Sequence, residues 1–165
     1  MHTIIIVRKI KMSKFSILCD SREKKPFTFA SDRFSSHNNT IVTKLDQGDY
    51  SLVGYENIVC IERKASVEEI YSNLSSNEPR ERFYREMERL SSIKYPFLVL
   101  AVDADQIMTG CEFSKASPIM IMSMLLGICM KYKINVIFAG RSAEFITYKI
   151  LEKVWKEIQE NKNPL

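Results

Sequence analysis

The pattern of apolar and polar positions changes its period near residue 65, from short apolar runs to helical spacing. Before that point we predict four strands, at 15–19, 41–45, 50–53 and 58–62. Only the short segment 54–57 separates the last two strands, so we expect them to form a hairpin.

After residue 65 the apolar residues Val67, Ile70, Tyr71 and Leu74 predict a helix, which Asn77-Glu78-Pro79 should break. The remaining elements that we predict are helices at about 79–92 and 117–132, strands at 96–102 and 134–139, and a last helix capped by Ser142. The strand at 96–102 is apolar throughout, as in a strand buried on both faces. Strands followed by alternating helices and strands predict an α/β fold with a mixed central sheet flanked by helices.

Length and composition fit one globular domain. The chain has 165 residues, of which 45% are hydrophobic and 27% charged, so we predict a single domain at 15–165. Residues 1–14 form a predicted N-terminal basic extension, within a stretch (1–27) that holds seven basic and two acidic side chains. The net charge of +4 permits a polyanionic partner but does not prove one.

Membrane and export signals are weak. The apolar run at 3–7 is only five residues long and its charges follow it, unlike a signal peptide. The apolar run at 119–130 spans twelve residues, which is too few to cross a bilayer. Four cysteines without a CxxC pair or a histidine cluster predict reduced thiols and no zinc site. We therefore expect a soluble, intracellular protein of the cytoplasm or nucleus that is not secreted.

Acidic residues cluster where the predicted strands end. Asp20 ends the first strand, Asp49 lies at a glycine turn before the third, and Glu62 ends the fourth. Residues two apart in a strand face the same side, so Lys64 joins Glu62 while Arg63 points the other way. Carboxylates bind Mg²⁺, and a nearby lysine can orient a water or stabilise a phosphate charge. On spacing alone, each of these acids is more typical of a cap, a turn or a surface ion pair than of a metal site.

The motifs around these acids resemble the nuclease domain of the XPF family of structure-specific DNA endonucleases, over residues 17–103. The family patterns are Asp-x-Arg-Glu, Leu-x-x-Gly-Asp-Tyr and Val-Glu-Arg-Lys, matched here by residues 20–23, 45–50 and 61–64. Arg82-Phe83 resembles a later Gly-Arg-hydrophobic element, and residues 96–100 resemble the strand after it.

The resemblance implies a restriction-endonuclease-like fold and hydrolysis of DNA phosphodiester bonds, in branched or flap structures, during repair or recombination. It implies that four acids surround one or two Mg²⁺ ions, or Mn²⁺: Asp20, Glu23, Asp49 and Glu62. Lys64 would position the attacking water. Arg22 and Arg63 would contact phosphate or lock the acids in place, and Arg82 would bind nucleic acid.

The chain also departs from the family pattern. The family has Asp where Glu68 stands, Gly where Glu81 stands, and Gln where Glu86 stands. The family's tandem helix–hairpin–helix region does not follow in this sequence, so we expect a minimal nuclease, a homodimer or a partner protein that replaces that region. In the apolar helix at 117–132 we expect the methionines to be mostly core filling, namely Met120, Met122, Met124 and Met130. Part of this helix is also a candidate homodimer interface.

Two other functions remain open at this point. One is a catalytically silent DNA-binding or scaffold module of the same fold. The other is a phosphodiesterase that acts on RNA or a small nucleotide. Arg82, Arg85 and Arg89 form a helical stripe that could follow a phosphate backbone, although the interleaved glutamates favour a self-paired, solvated face.

Overall fold

A computed structural model describes residues 14–162, which form six strands and five α-helices. The strands are β1 Phe15–Asp20, β2 His37–Thr43, β3 Tyr50–Leu52, β4 Val59–Lys64, β5 Tyr95–Leu100 and β6 Asn135–Phe138. The helices are α1 Val67–Ser75, α2 Asn77–Leu90, α3 Ala104–Thr109, α4 Pro118–Tyr132 and α5 Ala143–Lys162. Apart from Lys14, the predicted basic extension lies outside the described residues.

The strands form one mixed sheet in the order β2-β1-β3-β4-β5-β6. β3 is antiparallel to both of its neighbours, and every other neighbouring pair is parallel. The carboxyl ends of β1, β4 and β5 and the amino end of β3 therefore meet at one edge of the sheet. This topology brings the predicted acids, which are far apart in the chain, to the same place.

Helices cover both faces of the sheet, as predicted. Alternate residues of β4 point to opposite sides: Cys60 packs with α1, α2 and α4, whereas Val59 and Ile61 pack with α5. The α/β prediction of a mixed sheet flanked by helices is confirmed.

Local sequence signals explain where the helices near the site begin. Ser66 caps α1 by accepting a hydrogen bond from the backbone N–H of Glu69, and Glu69 in turn accepts one from the backbone N–H of Ala65. Asn77 begins α2 two residues before the predicted start, because Pro79 lies in the first turn, where its missing N–H is not needed.

One strand prediction is wrong, and one helix was not predicted. β2 spans 37–43 rather than 41–45, because its polar first half pairs with β1 at the edge of the sheet. The short helix α3 was not predicted. Met122 and Met124 pack against the core as predicted, but Met120 and Met130 do not fill it, since these residues are 42% and 81% exposed.

Across residues 14–162, none of the helices combines the length and the apolar character that a membrane span requires.

Candidate active site

Asp20 is a buried carboxylate that ties two loops together. It accepts hydrogen bonds from the backbone N–H and the Nε of Arg22 through Oδ1, and from the Nη2 of Arg22 and the backbone N–H of Leu45 through Oδ2. The hydrogen bonds from Arg22 lower the pKa of Asp20 to about 2, although burial opposes the shift. Asp20 thus joins the loop after β1 to the loop after β2.

Asp49 lies between β1 and β4 at the same edge. Its backbone carbonyl accepts a hydrogen bond from the N–H of Asp20, and its own N–H donates to the carbonyl of Ile61, each at 2.8 Å. Its Oδ2 accepts a hydrogen bond from the backbone N–H of Arg63 at 2.7 Å. The backbone therefore fixes the position of this carboxylate from both neighbouring strands.

Glu62 and Lys64 form a direct ion pair on the α2 side of β4, with 2.7 Å between Nζ and Oε1. Lys64 also lies 3.7 Å from a carboxylate oxygen of Glu86 and 3.8 Å from one of Glu69. Burial by itself would lower the pKa of Lys64, but these three carboxylates raise it overall, so the amine stays an ammonium. Lys64 is a hydrogen-bond donor in this arrangement, not a base.

Arg63 points to the other side of β4, as the strand period predicts. Its Nη1 lies 3.2 Å from a carboxylate oxygen of Glu23 and donates a hydrogen bond to the backbone carbonyl of Lys25 at 2.7 Å. The side chain is only 8% exposed. Of the two roles that the motif implies for Arg63, this geometry corresponds to holding an acid in place, and contact with phosphate stays a prediction.

The pKa values of Asp49 and Glu62 are both raised. Burial raises the pKa of Asp49, and the nearby charge of Glu62 raises it further. Burial also raises the pKa of Glu62, although Lys64 opposes the shift. A bound cation would relieve the cost of holding two carboxylates close together away from water.

Two open cavities meet at Asp49 and Glu62. A cavity of about 240 Å³ lies on the α2 side, and its walls also include Asp20, Glu86 and Arg89. A second cavity of about 610 Å³ lies towards the loop after β1. Arg22 lines both cavities, and the walls of the second add Glu23, Lys24, Lys25, Arg63, Lys64 and Glu69. Acids and basic side chains thus surround one polar crevice at the sheet edge.

Of the predicted site residues, only Arg82 lies apart, on the exposed surface of α2 and outside the walls of both cavities. Glu68, at the position where the family has Asp, also lines neither cavity, whereas the adjacent Glu69 does. Glu69 was not predicted as a site residue, although the sequence shows the Ser66-x-x-Glu69 spacing of a capping box. Glu86 was identified only as a departure from the family pattern, because nothing in the sequence pairs Glu86 with Lys64.

As the side chains stand, no group of three or more Cys, His, Asp or Glu residues between Lys14 and Lys162 is arranged to hold a metal ion. Both carboxylate oxygens of Asp20 accept hydrogen bonds from N–H donors, whereas the ion pair with Lys64 involves one oxygen of Glu62. The donor chemistry fits a hard cation best at Asp49 and Glu62, the two acids whose pKa values burial raises.

Comparisons with known proteins agree with this fold. The ERCC4 domain model matches residues 19–149. Among solved structures, XPF from Aeropyrum pernix superimposes with a TM-score of 0.59 and 17% identity, covering 87% of this chain and 65% of that chain. The same protein in complex with DNA gives the same TM-score and identity, covering 90% and 66%. No curated protein matches the chain significantly.

The chain therefore spans about two thirds of the length of the solved proteins that it resembles. The matched region contains every predicted site residue from Asp20 to Arg82. The family model matches more than half of the chain, and the fold is like that of XPF from Aeropyrum pernix; the chain belongs to the ERCC4 domain family.

Proposed function

We propose that this domain is a metal-dependent endonuclease that hydrolyses phosphodiester bonds in branched or flap DNA. The observation that carries the proposal is the meeting of Asp49, Glu62 and Lys64 at one sheet edge, between two polar cavities. The family membership and the solved complex of the similar XPF with DNA support DNA as the substrate.

Asp49 and Glu62 would hold the metal, with Asp20 and Glu23 as further candidates. When bound, Mg²⁺ or Mn²⁺ supplies a Lewis acid that lowers the pKa of a coordinated water and offsets charge on a phosphate. Lys64 orients the Glu62 carboxylate through its 2.7 Å ion pair and presents an ammonium to the crevice. Asp20 fixes the loops on either side through its contacts with Arg22 and Leu45.

Exposed basic groups beside the acids suit a DNA backbone. Lys24 and Lys25 are exposed and line the larger cavity, while Arg89 lines the smaller one. Arg22 is 62% exposed even though it binds Asp20, so part of its guanidinium faces solvent. These cations flank the two acids, which is where the phosphates on either side of a scissile bond would lie. A DNA substrate also implies action inside the cell.

The assay is cleavage of flap, fork, duplex and single-stranded DNA by purified protein, with and without Mg²⁺. Asp49→Asn keeps the shape of the side chain and an acceptor for the N–H of Arg63, and it removes the charge. Asp46→Asn is the matched control, because Asp46 is an exposed acid of the smaller cavity. We expect Mg²⁺-dependent cleavage, greatest on branched DNA, that Asp49→Asn abolishes and Asp46→Asn keeps within about three-fold.

Asp49→Asn should fold at least as stably as the wild type, because it removes a partly buried charge whose pKa burial and Glu62 raise. A loss of activity with an unchanged melting temperature therefore reports on the site. DNA binding without cleavage by the wild type would overturn the enzyme proposal in favour of the scaffold. Cleavage of RNA or a small nucleotide in preference to DNA would overturn the assignment of DNA as the substrate.

Assembly is the last part of the proposal. Ile119, Leu126 and Met130 form a stripe on α4, with 69%, 55% and 81% of each residue exposed, and we expect a second copy of the chain to cover it. Leu126→Lys should convert a dimer to a monomer in light scattering. A wild type that is monomeric at high concentration would favour a partner protein instead.

A further inference from the structure

The loop that follows β1 has few backbone bonds to the sheet. Its basic residues Lys24 and Lys25 line the larger cavity together with Glu23. Beyond Asp20 and Ser21, the backbone contact of this stretch is the N–H of Glu23 with the carbonyl of Asp20, one turn away. Side chains must therefore hold the loop over the crevice.

Phe27 lies at the centre of the contacts that hold it. The guanidinium carbon of Arg63 lies 4.5 Å from the centroid of the Phe27 ring, within the range of a cation–π interaction. The Tyr50 ring also stacks with Phe27, with 5.4 Å between the ring centroids and 16° between the ring planes. The backbone N–H of Phe27 also donates a hydrogen bond to the Tyr50 hydroxyl at 2.9 Å.

Arg63 carries the restraint from Phe27 to the loop. The same guanidinium pairs with the carboxylate of Glu23 and donates to the carbonyl of Lys25. Because Arg63 follows Glu62 directly in β4, the loop is fixed relative to the strand that carries a proposed metal ligand. Loss of the Phe27 ring would free the guanidinium on one face.

The next two residues are fixed independently. The backbone N–H groups of Thr28 and Phe29 donate to one carboxylate oxygen of Glu144 on α5, at 3.0 and 2.8 Å. Phe29 has a φ of 48°, a conformation that a bulky residue adopts only when its surroundings impose it. These contacts fix the backbone directly after Phe27 and so restrict how far the Phe27 ring can move from Arg63 and Tyr50.

We propose that Phe27 is a positioning residue, which holds Arg63 by stacking and thereby keeps the Glu23–Lys25 loop over the acids. This inference rests on the proposed nuclease function for its kinetic effect, but not for its structural effect. Phe27 itself is not among the residues that line either cavity.

Limited proteolysis tests the structural effect without any need for activity. Trypsin cleaves after Arg22 and Lys24, whereas the Lys25–Pro26 bond resists it, and mass spectrometry identifies each cut. We expect Phe27→Leu to raise the cleavage rate at these two bonds about ten-fold, and Phe27→Tyr to restore the wild-type rate. Phe113→Leu is the control, since Phe113 is 86% exposed. An unchanged cleavage rate in Phe27→Leu would overturn the proposal.

A double-mutant cycle with DNA cleavage tests how Phe27 acts. We expect Phe27→Leu to lower kcat about ten-fold with less than a three-fold change in KM. In an Arg63→Met background, Phe27→Leu should have no further effect on kcat, because its partner is already gone. If the fold-changes in kcat of the two single variants multiply in the double variant, Phe27 does not act through Arg63. A general loss of packing would give that result, because it acts independently of Arg63. If the wild type cleaves no DNA, the nuclease proposal fails, and the proteolysis alone decides the role of Phe27.

Discussion

The turn before Asp49 provides a demanding test of the geometry, through the substitution Gly48→Ala. Gly48 has a φ of 67°, in the left-handed region that L side chains rarely adopt. A Cβ built on Gly48 would overlap the Sγ of Cys60 and lie 3.0 Å from the carbonyl oxygen of Ile61. That same carbonyl accepts the hydrogen bond from the N–H of Asp49. The new methyl group therefore pushes on the contact that positions the acid.

The cost has two sources. The left-handed conformation costs a non-glycine residue about 1–2 kcal/mol. Overpacking against buried groups costs about 1–3 kcal/mol more. We therefore expect the free energy of unfolding to fall by about 2–5 kcal/mol, and the melting temperature by at least about 4 °C for a chain of this size.

Gly54→Ala separates the two sources. Gly54 also has a positive φ, of 78°, but a Cβ there meets nothing within 4 Å. Urea denaturation should therefore show a loss of about 1–2 kcal/mol for Gly54→Ala, from backbone strain alone. Adding Cys60→Ala to Gly48→Ala should recover part of the difference, because it removes the overlapping sulfur. Equal losses for the two glycine variants would refute the close approach of Gly48 to β4.

Two other predictions concern stability away from the crevice. Glu152 is buried on α5; burial works against its ionisation, but hydrogen bonds from Lys149 and Ser36 lower its pKa overall. Ionised Glu152 therefore contributes to the free energy of unfolding above the pKa of the unfolded state. This contribution is lost as the pH falls through the lower pKa of the folded state. Glu152→Gln should thus cost about 1 kcal/mol at pH 7 and nothing near pH 2 in denaturant titrations, and a constant difference would contradict this. Ser66→Ala should remove the cap of α1 and cost about 1 kcal/mol in the same measurement, whereas the exposed Ser72→Ala should cost less than about 0.5 kcal/mol.

The sequence predicted most of the fold because its strongest signals are local. The helix α4 begins at Pro118 as predicted, since a proline in the first turn suits its fixed φ. The position of β2 was predicted wrongly because its first residues, His37 to Thr40, are polar. As the edge strand, β2 pairs with β1 on one side only, so these polar residues are tolerated there. The helix α3 was missed because it is short and buries only Ile107, although Asp103 and Gln106 form a capping box.

The candidate site was predicted in part for the same reason. The motifs place Asp20, Asp49 and Glu62 at strand ends, and in a mixed sheet these ends lie at the same edge. Contacts between distant segments carry no such signal. The ring of Phe27 against Arg63, and Glu86 beside Lys64, depend on how the loop and α2 pack, which apolar spacing does not determine.

If Asp49 and Glu62 form a divalent cation site, the protein should bind Mn²⁺ there, and electron paramagnetic resonance measures that binding. The wild type and Asp46→Asn should bind Mn²⁺ with the same affinity, and excess Mg²⁺ should displace it. Asp49→Asn should weaken binding at least ten-fold while the protein stays folded. Equal affinity in Asp49→Asn and the wild type would show that Asp49 holds no cation.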